Sequence, residues 1–364
     1  MLHALTKTVQ MQRRFGIIMS TSNARPLNLA IQGGGSHGAY AWGILDRMLE
    51  DGRFSIASIT ATSAGAMNAV VLAAALSKGG PEAGRQALEG FWKRISDARG
   101  PFSPASMNQV RQLFDPFGAF REAGFQWFNA LTSVASPYQF NPFNFNPLRD
   151  ILKASVDFDD LRRDCGIRLF LSATDVRTGK VRVFRTEEVT ADATLACACL
   201  PYLFQAVETA GGAYWDGGYV ANPALWPLFY EDLPDDILIC HINPLIREGI
   251  PKTSAEIMDR LNEITFNASL LAELRAIAFV QKLVKEDQLK EELRERYRDI
   301  HVHAIRADEA LGRQGVASKF RTDWDYLTGL RDLGRAAYDA WAARCADKVG
   351  SESSVDIQAE YLGG

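Results

Sequence analysis

The sequence predicts an α/β fold built on a mostly parallel central sheet. Three observations carry that reading. Residues 27–76 run as strand, glycine turn, helix, strand, sharp turn and helix. The strand segments are short apolar runs closed by turn residues, as in strands buried on both faces. The 364 residues are 47% apolar, enough for a sizeable core in one large domain or two ordinary ones.

Residues 1–26 carry Lys7, Arg13, Arg14 and Arg25 and no acid, and are expected to form a disordered basic leader. Its apolar stretch at 15–19 is too short for a signal peptide. The longest apolar run, 69–76, is too short to span a bilayer. The expectation is a cytoplasmic protein. A basic leader also suggests contact with the inner face of an anionic membrane. The net charge of −4 lacks the basic excess of a nucleic-acid-binding protein. Five cysteines without a C-x-x-C pair read as free thiols in a reducing compartment. Cys197 and Cys199 lie two apart but have no nearby histidine or cysteine to complete a metal site.

Residues 27–32 form the first strand, and Trp42, Leu45, Met48 and Leu49 mark the helix after it. Ile56 and Ile59 mark the second strand; residues 64–76 form a small-residue helix suited to close packing on a sheet. Leu88, Phe91, Trp92 and Ile95 mark another helix. Residues 101–147 lose this regularity and are rich in phenylalanine, proline and asparagine. They read as an insertion over the core, either a packing layer or a lid on an apolar channel. A helix at 148–152, a strand at 168–174 and a hairpin arm at 181–185 follow. Next come a short helix at 194–200, a strand into Asp216 and a last buried strand at 236–242. From residue 254 the pattern is helical throughout. Its apolar stripe is Ile257, Leu261, Ile264, Ala268, Leu271, Leu274 and Ala278.

Gly33-x-Gly35-x-x-Gly38, with Gly34 inside it, follows a strand and opens a helix. A dinucleotide site would also need an acid ending the second strand, and residues 59–61 supply none. No Gly-Lys-Ser/Thr follows for a P-loop. Successive glycine N–H groups at a helix start also suit an oxyanion. Ala61-Thr62-Ser63-Ala64-Gly65 then places a serine at a strand-to-helix corner, where small neighbours such as Ala61 and Gly65 let backbones approach. A serine nucleophile needs a base. No histidine occupies the late loop where an α/β-hydrolase carries one. A carboxylate is the other candidate. Asp216-Gly217-Gly218 places one after a short strand, although Asp-Gly-Gly alone is also an ordinary turn.

These three motifs, in this order, resemble the patatin-like phospholipases. Residues 173–175, Gly179-Lys180 and 200–204 are also similar to the family, so the likeness covers roughly residues 27–244. The tail is similar to the extension of a bacterial subgroup. The resemblance implies a three-layer α/β/α sandwich with a helical C-terminal appendage. It divides the chain into the leader, an acyl hydrolase domain at 27–245 and an extension at 246–364. It implies a metal-independent, cofactor-free serine acyl hydrolase of lipid esters, of phospholipase A or lysophospholipase type. Ser63 would be the nucleophile, Asp216 the general base, and the turn of Gly33, Gly34, Gly35 and Gly38 the oxyanion hole, supported by Ala61, Gly65, Gly217 and Gly218. Ala61 replaces the usual glycine of the elbow. His37 stands where many members carry arginine or lysine, which questions a fixed positive charge beside the turn. The same dyad would serve an acyltransferase, a thioesterase or a polyester hydrolase. A nucleotide-binding or scaffold module is the non-catalytic alternative. Oligomeric state is not legible in the sequence.

Overall fold

A computed structural model describes residues 24–98, 135–294 and 297–363. The basic leader up to residue 23, and residues 99–134, which include 101–134 of the aromatic-rich insertion, lie outside the described residues.

The described strands form one eight-stranded sheet. They are β1 (Arg25–Ile31), β2 (Phe54–Thr62), β3 (Arg168–Asp175), β4 (Val181–Arg185), β5 (Val207–Thr209), β6 (Gly212–Asp216), β7 (Asp236–His241) and β8 (His301–Arg306). The order is β5-β6-β3-β2-β1-β7-β8, with β4 also paired to β3. The run β3-β2-β1-β7-β8 is parallel, and β4, β5 and β6 pair antiparallel. Parallel neighbours need crossovers, which helices supply on both faces.

The main helices are α1 (Gly38–Asp51), α2 (Ala64–Asp97), α3 (Pro147–Ser155), α4 (Phe158–Asp164), α5 (Ala191–Ala196), α6 (Ser254–Lys285) and α7 (Trp324–Cys345). α2 breaks at Gly80, where φ is 68° and Pro81 follows, so it is two helices end to end.

Strand alternation sends side chains to two cores. Leu27, Leu29, Ile31, Ile59, Leu169, Leu171, Leu238 and Cys240 meet residues of α1, α2, α3 and α7 on one face. Ala30, Phe170, Ile237, Ile239 and Val302 meet Leu270, Leu274 and Ile277 of α6 on the other. The result is the expected α/β/α sandwich with a largely helical C-terminal region.

Two details of that region differ from the sequence reading. It is not wholly helical: β8 joins the sheet beside β7, so the sheet crosses the boundary drawn at 245. The apolar stripe of α6 holds only in its second half, where Leu274 is buried and Leu271 and Ala278 pack on the core. In the first half Ile257, Leu261 and Ile264 are exposed, while Glu263, Phe266 and Asn267 face inward, followed by Leu270 and Ile277. Glu263 and Asn267 tolerate burial because both are fully engaged. Arg247 and Arg260 pair with Glu263, and Gln32, His241 and residues 243–244 bond Asn267.

Candidate active site

The carboxyl ends of the parallel strands define the site. Ile31 of β1 lies opposite Ala61 of β2, Thr62 opposite Ser172 of β3, and Ala173 opposite Asp216 of β6. Ser63 follows Thr62 directly. The register therefore brings Ser63 and Asp216 to one level, with β3 between their strands.

Ser63 is the N-cap of α2, with φ 54° and ψ −127°. A non-glycine residue at such a positive φ is strained and persists only where the surroundings hold it. Its N–H donates to the Cys197 carbonyl at 3.0 Å, and its carbonyl accepts from Met67 N–H. Gly65 explains the need for a small residue two positions on, since a Cβ there would lie 2.4 Å from the Ile31 carbonyl oxygen. The elbow packs onto the end of β1 at that point. Ala61 is fully buried in the core.

Asp216 is wholly buried, whereas Ser63 keeps 8% of its surface, so Ser63 is the more exposed member of the pair. The Asp216 N–H donates to the Cys199 carbonyl, and Thr174 Oγ1 donates to the Asp216 carbonyl. The loop at 197–199 thus clips both residues by their backbones. Sequence reasoning missed it, because main-chain carbonyls leave no residue signature. Asp216 Oδ1 accepts the Gly218 N–H at 2.7 Å, and Oδ2 is buried without a hydrogen bond of ordinary geometry. Burial pushes the Asp216 carboxyl up to about 6; the Gly218 N–H, the Ser63 hydroxyl and the Lys319 charge pull the other way. Gly217 and Gly218 have no room for a side chain, being pressed against the Ser172 carbonyl and the Phe266 ring.

The glycine turn abuts Ser63, since a Cβ on Gly33 would fall 2.4 Å from the Ser63 Cβ. The four turn glycines are not equivalent donors, which corrects the sequence reading. The Gly33 N–H is taken by Asn222 Oδ1 at 2.7 Å. The Gly38 N–H bonds back to the carbonyls of Gly35 and Ser36. The N–H groups of Gly34 and Gly35 carry no such partner among the described residues. They lie just before α1, near the unpaired N–H groups at the start of α2.

Beneath the turn, Gln32 Oε1 accepts the N–H groups of Ile242 and Asn243, and Asn243 Nδ2 donates to the Gly33 carbonyl. Thr60 and Thr62, on one face of β2, donate to the carbonyls of Ala224 and Ala221. These bonds anchor the segment after Asp216 to the strand that carries Ser63.

No described histidine bonds Ser63. His241 is a satisfied core residue: it lies between Tyr361 and Asn267, and burial lowers it to about 4. His301 and His303 bond Asp236 at the start of β7, the opposite end of the strands. His37 bonds Ser318, and burial, then Lys319 and Arg247, lower it to about 3. Among the described residues no group of histidine, cysteine and acidic side chains is placed to hold a metal. All five cysteines are free. No described helix is long and apolar enough to cross a membrane.

A βαβ unit with a glycine turn, a serine elbow and an acid two strands along the sheet is the arrangement of a lipid acyl hydrolase class. Residues 29–229 match the family model described as patatin-like phospholipase, and the chain belongs to that family. The family supports a hydrolase or esterase of phospholipase kind. Among solved structures, VipD from Legionella pneumophila is 15% identical with a TM-score of 0.32, over 86% of this chain and 67% of that one. ExoU of the Pseudomonas aeruginosa type III secretion system, in complex with SpcU, is 16% identical with a TM-score of 0.32, over 87% of this chain. This chain spans about half, 53%, of that ExoU chain. No curated protein matches the sequence.

Proposed function

We propose that the chain hydrolyses carboxylic esters of lipids, as a phospholipase A or lysophospholipase, through a Ser63–Asp216 dyad and an acyl-enzyme. The observation that supports this most is the strained Ser63 beside a buried acid whose Oδ2 lacks a hydrogen bond. Desolvation strengthens a carboxylate as a base, which it must be to accept an alcohol proton. Asp216 takes the Ser63 proton as Oγ attacks the ester carbonyl. The Gly34 and Gly35 N–H groups and the start of α2 receive the developing oxyanion. The alcohol leaves with the proton, and Asp216 then activates water against the acyl-enzyme. Removal of one oxyanion donor in such a site costs about 3 kcal/mol.

Peripheral membrane contact belongs to the same proposal. Tyr138, Phe143 and Phe145 are exposed, and Ala206 N–H and Gln205 bond Tyr138 and residues 141–142, beside the loop that clips Asp216. Ile257, Met258, Leu261 and Ile264 add exposed apolar surface on α6.

The deciding experiment is fluorophosphonate labelling with release of p-nitrophenol from medium-chain esters. Both are expected in the wild type and absent in Ser63→Ala. Activity that survives Ser63→Ala refutes the dyad. Acyl transfer to an added alcohol at the expense of hydrolysis would instead identify an acyltransferase.

A further inference from the structure

The segment 315–320, far from every motif in the sequence, packs directly on the glycine turn. A Cβ on Gly35 would lie 2.4 Å from the Lys319 carbonyl oxygen. The Lys319 ammonium points inward. Nζ donates to Asn243 Oδ1 at 2.9 Å and to Asn262 Oδ1 at 3.0 Å. It also lies 5.3 Å from the centre of the Phe266 ring, a cation–π distance. Asn243 in turn holds the Gly33 carbonyl, and Phe266 packs against Gly218, whose N–H binds Asp216. One side chain is therefore linked to both ends of the site, to the turn through Asn243 and to the acid's loop through Phe266.

The residue in the turn itself supplies no charge. Ser318 Oγ donates its hydrogen to the Gly315 carbonyl at 2.6 Å, so it accepts from His37 Nε2 at 2.7 Å. Nε2 then carries a hydrogen, Nδ1 is buried without a partner, and burial lowers His37 far enough to keep the ring neutral.

We infer that Lys319 is the positioning cation of this site, delivered by the C-terminal region to hold the glycine turn in shape and to supply the positive field that His37 lacks. The inference rests on the dyad reading. The charged groups facing Lys319 are Glu263 and Asp259 from α6, Asp216 at the end of β6, Arg247 after β7 and His37 from the turn. Burial lowers Lys319 to about 8, against the pull of Glu263, Asp259 and Asp216. Its charge holds the Asp216 carboxyl lower than burial alone would leave it. The sign follows: below pH about 8 Lys319 is charged, and above it the field at the turn is lost.

The test compares Lys319→Met and Lys319→Arg with the wild-type chain by pH-resolved ester hydrolysis, fluorophosphonate labelling and a ¹³C-carboxyl titration of Asp216. The wild type should show an alkaline fall in kcat near pH 8. Lys319→Met should lower kcat about 10- to 100-fold with KM little changed, lose that alkaline limb and raise the Asp216 titration midpoint. Lys319→Arg should restore much of kcat and move the alkaline limb upward, because a guanidinium stays charged. An unchanged kcat, alkaline limb and Asp216 midpoint in Lys319→Met would overturn the inference. Should Lys319→Met fail to fold, an alkaline limb in Lys319→Arg identical to wild type would overturn it equally. A wild type that is not labelled refutes the dyad reading instead. The Asp216 titration, which needs no turnover, then still decides whether the Lys319 charge reaches the acid.

Discussion

Ser63 and the turn at 33–35 come from one continuous βαβ unit. Asp216 with Asn222, Asn243 and Lys319 reach the same place from three separate segments. In the first half, geometry follows from strand order and from backbone contacts such as Gly65 on Ile31. In the second, it follows from side chains whose partners are distant in sequence, such as Gln32 with Ile242 and Lys319 with Asn243. The local half therefore holds strain and close packing, and the remote half sets charge and protonation. Substitutions in the two halves should fail differently.

The largest effect belongs to the elbow. Ser63→Ala should lower ester turnover by about 10⁴-fold or more with an unchanged circular-dichroism spectrum. Ser63→Gly should be equally inactive yet more stable than Ser63→Ala by about 1 kcal/mol, because glycine relieves the positive φ. Equal melting temperatures for the two would show that the elbow is not strained.

Asp216→Asn should cost about 10³-fold in kcat, with the opposite effect on stability. Burial pushes the Asp216 carboxyl up to about 6 from its ordinary 3.8, so the folded chain binds this proton more tightly. Stability is then lost as pH rises through that window. At pH 8 the amide should be more stable by up to about 3 kcal/mol, and below pH 4 the gain should vanish. Wild-type kcat/KM should fall below pH about 6 as the base protonates. Denaturant melts at both pH values check the first claim and a pH–rate profile the second.

Gly65→Ala tests the local half by packing alone. Its Cβ would meet the carbonyl oxygens of Ile31 and Gln32 at 2.4 and 2.7 Å, so a loss of about 1–3 kcal/mol is expected by thermal melting. A neutral result would mean that β1 and the elbow can separate freely. The smallest stability effect should come from Leu261→Ser, on exposed α6, within about 0.5 kcal/mol of wild type. The same change should weaken flotation with anionic liposomes, and unchanged flotation would count against membrane contact at this surface.

Much of this was legible in residues. The turn, the elbow and the Asp-Gly-Gly stand where short apolar strands end, and strand periodicity is a local property. The phase of the first half of α6 was not legible, because Glu263 and Asn267 look like surface residues until Arg247 and Gln32 are brought to them. β8 was not either: its alternating His301-Val302-His303 pattern lies between helices, and only pairing with β7 makes it a sheet strand. Nor did the motif distinguish Gly34 and Gly35 from Gly33 and Gly38, whose N–H groups are taken by Asn222 and by the helix start.

By itself the sequence determined the chemistry available: a hydroxyl at a corner, an acid in a tight turn and a glycine run before a helix. These depend on backbone conformations that few residue types can adopt, so their composition reveals them. Tertiary structure alone decided which groups meet, how far burial raises Asp216, and that a lysine from the tail stands where the turn offers only a neutral histidine. Desolvation and charge are properties of neighbours in space, and the chain order does not contain them.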